Sequence, residues 1–212
     1  MTKKDKAFLY ACVIGDGHIR RDNTGCLKLC IKHCERQTEY LRYKVDILSR
    51  ILGKQATIHT VDNNGYPGVY WTVGATTLLR PVYAKLYPNG KKDVANSGVL
   101  YDLTPEALAV LWMDDGCLSL KKREGVVHGR EGFLSYYSSH DNVELVCSIL
   151  NAKFGLSFSP VKDRNWYRMR TGSAGLNRLI PVIAPYIVPC MQYKIDMHYC
   201  TGSASRPTTR GQ

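Results

Sequence analysis

Two aspartates in this sequence stand in the same local setting. Asp16 closes the run Leu9-Tyr10-Ala11-Cys12-Val13-Ile14-Gly15 and is followed by Gly17. Asp115 closes Leu108-Ala109-Val110-Leu111-Trp112-Met113-Asp114 and is followed by Gly116. Such a run is too short to cross a membrane, but it is long enough for two or three turns of buried helix. Glycine after the aspartate fits a helix C-terminal stop. Each carboxylate is then expected at the negative end of a helix, where the macrodipole disfavours it. Two such ends brought together repel, and a divalent cation bound by their oxygens removes that cost. One run alone reads as an ordinary buried helix. Two runs, with aspartates 99 positions apart in a chain of 212, read as a repeat that organises the molecule. A second spacing repeats with it: Lys92 lies 76 positions after Asp16, and Lys194 lies 79 after Asp115.

The elements that must position these residues also come in two sets. Lys3 to Gly15 is the first motif helix, and Ala11 and Gly15 are small residues on one face that allow close approach of a partner helix. Leu27, Leu29 and Ile31 alternate with Lys28, Cys30 and Lys32, which predicts a strand with one apolar and one basic face. With His18 to Arg21 it makes a hairpin across the turn Asp22 to Gly25. Glu35 to Leu52 has helical spacing and stops at Gly53. Ala56 to Val61 and Val69 to Val73 flank a second turn, Asp62 to Gly65. Thr76 to Leu86 predicts a helix interrupted near Pro81. Residues 93–103 are the expected linker. Thr104-Pro105 then starts the second motif helix, with Thr as N-cap and Pro in the first turn. The order repeats: Cys117 to Arg123 and Gly132 to Ser139 around a polar loop, a helix from Asp141 to Phe154, a hairpin of Leu156 to Val161 and Trp166 to Thr171, and a helix from Ser173 disturbed by Pro181 and Pro185. The expected division is 1–92, linker 93–103, 104–200, and a disordered polar tail at 201–212.

The chain carries 29 Lys plus Arg against 18 Asp plus Glu, a formal charge of +11. That excess points to a polyanion, most simply nucleic acid. No basic amphipathic helix points to a membrane surface, and no signal-type or membrane-spanning stretch stands out. Cys26, Cys30 and Cys34 lack a second cluster to complete a zinc site, so the eight cysteines read as reduced thiols.

The paired runs resemble the LAGLIDADG motif of homing endonucleases in its monomeric, two-motif form. Leu9 to Gly17 and Leu108 to Gly116 align with the nine motif positions, although Ile14 and Met113 replace the motif's first acid. The resemblance covers nearly the whole chain. It implies an α+β fold of two pseudo-symmetric αββαββα halves packed through the motif helices, their antiparallel sheets forming a DNA-binding saddle. It implies that Asp16 and Asp115 are catalytic and bind metal together with the backbone carbonyls of Gly15 and Asp114. Lys92 and Lys194 match the family's active-site lysines, which can orient the attacking water or stabilise charge on the phosphorane. The implied cofactor is Mg²⁺, two or three ions, with Mn²⁺ expected to substitute and Ca²⁺ to support binding without cleavage. The implied activity is site-specific cleavage of both DNA strands across the minor groove, leaving 3′ overhangs. The partner is a long non-palindromic duplex, bound by a monomer.

Basic strand faces are the candidate DNA readers, since a two-stranded ribbon fits the major groove. They are Arg20, Arg21, Lys28, Lys32 and His59 in the first half, and Lys121, Arg123, Arg130, Arg164, Arg168 and Arg170 in the second. Two alternatives stand beside the endonuclease: an RNA maturase assisting its host intron, and a DNA-binding protein without catalysis. Retention of both aspartates and both lysines argues against the latter. Without splicing-type flanks, the sequence reads as a free-standing, intron-encoded protein rather than an intein. The expected location is the compartment of the intron-bearing genome, an organelle or a prokaryotic or phage cytoplasm.

Overall fold

The computed structural model describes residues 1–63 and 65–196; the tail expected at 201–212 lies outside them. The first half runs α1 (Lys3–Ile14), β1 (Gly17–Arg21), β2 (Leu27–Cys34), α2 (Thr38–Leu52), β3 (Ile58–Asn63), β4 (Tyr66–Gly74) and α3 (Thr76–Leu86). The second repeats it as α4 (Pro105–Asp115), β5 (Gly116–Arg123), β6 (Val126–Ser138), α5 (His140–Phe154), β7 (Ser159–Asp163), β8 (Trp166–Gly172) and α6 (Ser173–Ile183). Each half holds one antiparallel sheet, in the orders β1-β2-β4-β3 and β5-β6-β8-β7. These are the two αββαββα halves that the motif repeat implies.

α1 and α4 pack against each other and against their own sheets. Being enclosed on all sides, they are apolar on all sides: Ala7 to Val13 and Ala107 to Met113 are buried without a break. Both starts are fixed by caps. The Asp5 amide donates to Thr2 Oγ1 at 3.1 Å and the Thr2 amide donates to Asp5 Oδ2 at 2.9 Å, a reciprocal capping box. The Ala107 amide donates to Thr104 Oγ1 at 3.2 Å, and Pro105 opens the helix.

The motif glycines do not act as left-handed helix stops. Gly116 has φ −79°, and Gly17 opens β1. What they need is space. A Cβ on Gly17 would lie 2.3 Å from the Cys12 carbonyl oxygen, and one on Gly116 would lie 2.4 Å from that of Trp112. Each chain turns so sharply out of its helix into its strand that no side chain fits.

Three expectations change in detail. β6 begins at Val126, so most of the supposed polar loop belongs to the sheet. Glu124 and Gly125, at φ 51° and 82°, close a two-residue turn whose twist suits a hairpin. Pro81 and Pro181 sit inside α3 and α6 without ending them. Both face solvent, where the carbonyls left unpaired by the missing N–H can reach water. The segment expected as a linker is a packed strap: Val94, Ala95, Val99, Leu100 and Leu103 are buried. No disulfide joins the described cysteines, and no helix among the described residues is long and apolar enough to cross a membrane.

Candidate active site

Asp115 is the last residue of α4, and Asp16 stands two residues past the end of α1. Because α1 and α4 are neighbours, the two carboxylates share one environment. Burial raises the pKa of Asp115 to about 7, with the charges of Asp16 and Asp114 adding to it. Burial raises Asp16 to about 6, with Asp114 adding and Lys44 opposing. Carboxylates pushed up by burial and mutual repulsion suit an oxygen-binding divalent cation, which relieves both penalties.

The two lysines found by spacing arrive at matching places. Lys92 Nζ donates to the Val13 carbonyl at 2.6 Å and to that of Gly17 at 2.9 Å. Lys194 Nζ donates to the Gly116 carbonyl at 2.8 Å and more weakly to that of Asp114 at 3.4 Å. Each ammonium therefore caps the C-terminal carbonyls of its own motif helix and bonds the glycine that follows the aspartate. Burial lowers the pKa of both lysines, while the three aspartates oppose that shift. The Asp114 carbonyl, expected as a metal ligand, thus already faces an ammonium; the Gly15 carbonyl leads directly into Asp16.

Asp114 does something the motif did not announce. Its side chain crosses into the first half, through space left by Gly15, where a Cβ would lie 2.1 Å from Asp114 Oδ2. That oxygen accepts from the Asp16 amide at 3.1 Å. The other accepts from Lys44 Nζ at 2.5 Å, in an ion pair with both side chains fully buried, and from Tyr40 Oη at 2.7 Å. Lys44 Nζ also lies 3.3 Å from His33 Nε2, and His33 Nδ1 lies 3.4 Å from Asp16 Oδ2 and 3.1 Å from Gln37 Oε1. An ammonium can only donate, so Nε2 accepts and Nδ1 carries the proton. Burial and then Lys44 lower the His33 pKa to about 4, which keeps the ring neutral. Asp16, His33 and Asp114 come close enough to hold an ion, but both Asp114 oxygens are engaged and a cation there would meet the Lys44 ammonium.

Lys44, His33 and Tyr40 escaped the sequence reading, though a signal existed. Lys44 sits on the buried stripe of α2 with Tyr40, Leu41 and Leu48. His33 continues the inward alternation of Leu27, Leu29 and Ile31. A lysine and a histidine at core positions require buried partners.

The strands separate the candidate DNA readers by face. Arg20 pairs with Lys28 across β1 and β2, and Lys32 pairs with Tyr70, which pairs in turn with His59. These lie on the face opposite the buried Leu27, Leu29 and Ile31, with His59 stacked on Tyr70. In the second sheet, Lys121 and Arg170 both bond Glu131. Arg168 contacts Asp163 at 3.2 Å and lies over the Phe133 ring. Arg123 ends β5, and Arg164 sits in the β7–β8 turn at φ 56°. Two candidates fall away. Arg21 has the parity of Ile19 and lies over the Tyr83 ring of α3. Arg130 has the parity of the inward Gly132 and Leu134, with its backbone tied to Ser173 Oγ. Alternation sends both to the helix side of their sheets.

The chain belongs to the LAGLIDADG DNA endonuclease family, which it matches over residues 6–179. Probable intron-encoded DNA endonuclease 3 of Mycosarcoma maydis is 33% identical over 105 residues, 50% of this chain and 73% of that protein. DNA endonuclease I-ChuI of Chlamydomonas applanata is 25% identical, over 92% of this chain and 96% of its own. The chain also matches Protein RecA of Mycobacterium shimoidei, at 26% identity, but spans only 47% of its length. Among solved structures, the homing endonuclease I-WcaI bound to its DNA recognition sequence shares the fold, with a TM-score of 0.72 at 20% identity over 92% of this chain and 87% of that one.

Proposed function

We propose that this DNA endonuclease hydrolyses one phosphodiester on each strand of a site-specific duplex target, with one aspartate serving each cut. The observation that carries the reading is the pair Asp16 and Asp115. Both lie at the foot of packed motif helices, with pKa values raised to about 6 and about 7. Hard oxygen donors that burial and repulsion destabilise fit Mg²⁺, and the Gly15 carbonyl beside Asp16 is a further oxygen. When bound, such a cation supplies an activated water and neutralises charge on the phosphate oxygens. The protein's own part is to hold the two carboxylates rigidly, through helices buried from Ala7 to Val13 and from Ala107 to Met113. Lys92 and Lys194 bring positive charge to the same foot, where it can answer charge developing on a phosphate.

The sheet faces carrying Arg20, Lys28 and Lys32, and Lys121, Arg168 and Arg170, are the surfaces for DNA. Both motifs stand on one chain, so the binding unit is a monomer. Its two unlike halves suit a non-palindromic site of roughly two helical turns, about 20 base pairs. Cutting across the minor groove to leave 3′ overhangs follows from the family resemblance. The test is a supercoiled plasmid carrying the target, followed to nicked and linear products in Mg²⁺, beside a gel shift in Ca²⁺. Asp16→Asn and Asp115→Asn should each abolish linearisation while specific binding survives. A variant that linearises at the parental rate would overturn the assignment.

A further inference from the structure

The two centres differ chemically, and the difference traces to one ring of contacts. Starting at Asp16, the amide donates to Asp114 Oδ2 at 3.1 Å, and Asp114 Oδ1 receives Lys44 Nζ at 2.5 Å. Lys44 Nζ meets His33 Nε2 at 3.3 Å, and His33 Nδ1 returns to Asp16 Oδ2 at 3.4 Å. Lys44 thus reaches Asp16 twice, through the backbone on one side and the carboxylate on the other.

Among the described residues, the second half has no such ring. α2 and α5 both end at a left-handed glycine, Gly53 and Gly155. Counting back from each places Val146 where Lys44 stands. Gly17 pairs with Ile31 and Gly116 with Leu134, but β6 is irregular between Leu134 and Ser138, and it is Tyr136 from that stretch that lies beside Asp115 and Val146. The residue matching Asp114 is Gly15, which has no side chain to send across. In place of the ring lies a cavity of about 90 Å³ whose walls include Ile14, Asp115, Tyr136 and Val146.

We propose that Lys44 is a positioning residue for Asp16 alone, acting through Asp114 and His33, so that the two strand cuts depend unequally on this ring. The inference rests on the endonuclease reading above. His33, its Nδ1 held by Gln37 Oε1 at 3.1 Å, stands 3.4 Å from the Asp16 carboxylate and limits its rotamers, while the Asp114 bond fixes the peptide from which that carboxylate hangs. Asp115 has neither restraint.

The experiment uses a target duplex with a different label on each strand and measures both cleavage rates. Cutting of both strands by the parental protein reports on the function; the ratio of the two rates reports on the ring. Lys44→Met combined with Asp114→Ala removes both buried charges together, a change that buried pairs tolerate in stability. Thermal unfolding checks that it does. One strand should slow about tenfold or more, as expected for losing hydrogen bonds to a charged group, while the other stays within about twofold. His33→Leu should bias the same strand, and His33→Asn, which keeps an N–H donor, should restore much of the rate. Equal slowing of both strands, no slowing, or a His33→Asn protein no better than His33→Leu would each overturn the proposal.

Discussion

Replacing Asp115 by asparagine should stabilise the metal-free protein, and by an amount that grows with pH. In the folded chain the Asp115 carboxyl keeps its proton up to about pH 7, whereas its unperturbed value is 3.8. The folded state therefore binds more protons than the unfolded state across that window, and stability contributed at low pH is lost as pH rises through it. A shift of about three units at about 1.36 kcal/mol each sets a ceiling of about 4 kcal/mol. Water reaching the half-buried carboxylate screens the interaction, so a difference of roughly 1–3 kcal/mol between variant and parent is expected at about pH 8. Below about pH 3 the two should be equally stable, because the parental group is then neutral in both the folded and the unfolded chain. Urea unfolding in EDTA at several pH values measures the difference directly and cancels groups common to both proteins. Mg²⁺ at 100 times its dissociation constant should return about 2.7 kcal/mol to the parent and much less to Asp115→Asn. A difference that is flat with pH, or a variant less stable than the parent at about pH 8, would refute the argument that burial and repulsion load this carboxylate.

Three further outcomes follow from the geometry. Gly15→Ala should destabilise the fold by roughly 2–4 kcal/mol, since its Cβ would meet Asp114 Oδ2 at 2.1 Å, and adding Asp114→Ala together with Lys44→Met, which leaves no buried charge unpaired, should recover most of the loss in denaturant unfolding. Lys92→Ala and Lys194→Ala should each slow cleavage about a hundredfold with DNA affinity nearly intact in gel shifts; a parental rate in either removes that lysine from the chemistry. Arg170→Ala should relax selectivity at one base pair by roughly 1–3 kcal/mol, whereas Lys28→Ala should weaken all sequences alike and flatten the salt dependence, as competition binding would show.

The fold was legible because its signals were periodic and duplicated. Alternation of Leu27, Leu29 and Ile31 marked β2, and Gly53 and Gly155 marked where α2 and α5 stop. The twin apolar runs marked the core. Errors gathered where a local signal has two physical outcomes. Proline breaks a buried helix but is tolerated where its face meets water, as at Pro81 and Pro181. A polar stretch can be a loop or an exposed strand, and the Glu124-Gly125 turn selects the strand. Among the site residues, the spacing of Lys92 and Lys194 was informative because each must reach the carbonyls at the end of its own motif helix. The basic residues were less so, because charge alone does not give the face. Arg20 and Arg21 are adjacent, and alternation sends them to opposite sides.

Asp114 shows why a motif position cannot be read by itself. As a letter in the second motif it precedes the acid expected to be catalytic, and the resemblance offered only its carbonyl. Its side chain is admitted because Gly15, the matching position of the first motif, has none. A third carboxylate at that interface adds charge beside Asp16 and Asp115, and it raises the pKa of both. Buried without a partner it would cost several kcal/mol, so its presence requires a cation from the surrounding core. Lys44 is that cation, which explains a lysine on the apolar stripe of α2. Once Lys44 is fixed, it must have an acceptor for a second N–H, and His33 Nε2 supplies one. Three residues that look unrelated along the chain are thus consequences of one another, and all of them converge on Asp16. The correspondence between the two halves is broken at the place where they meet.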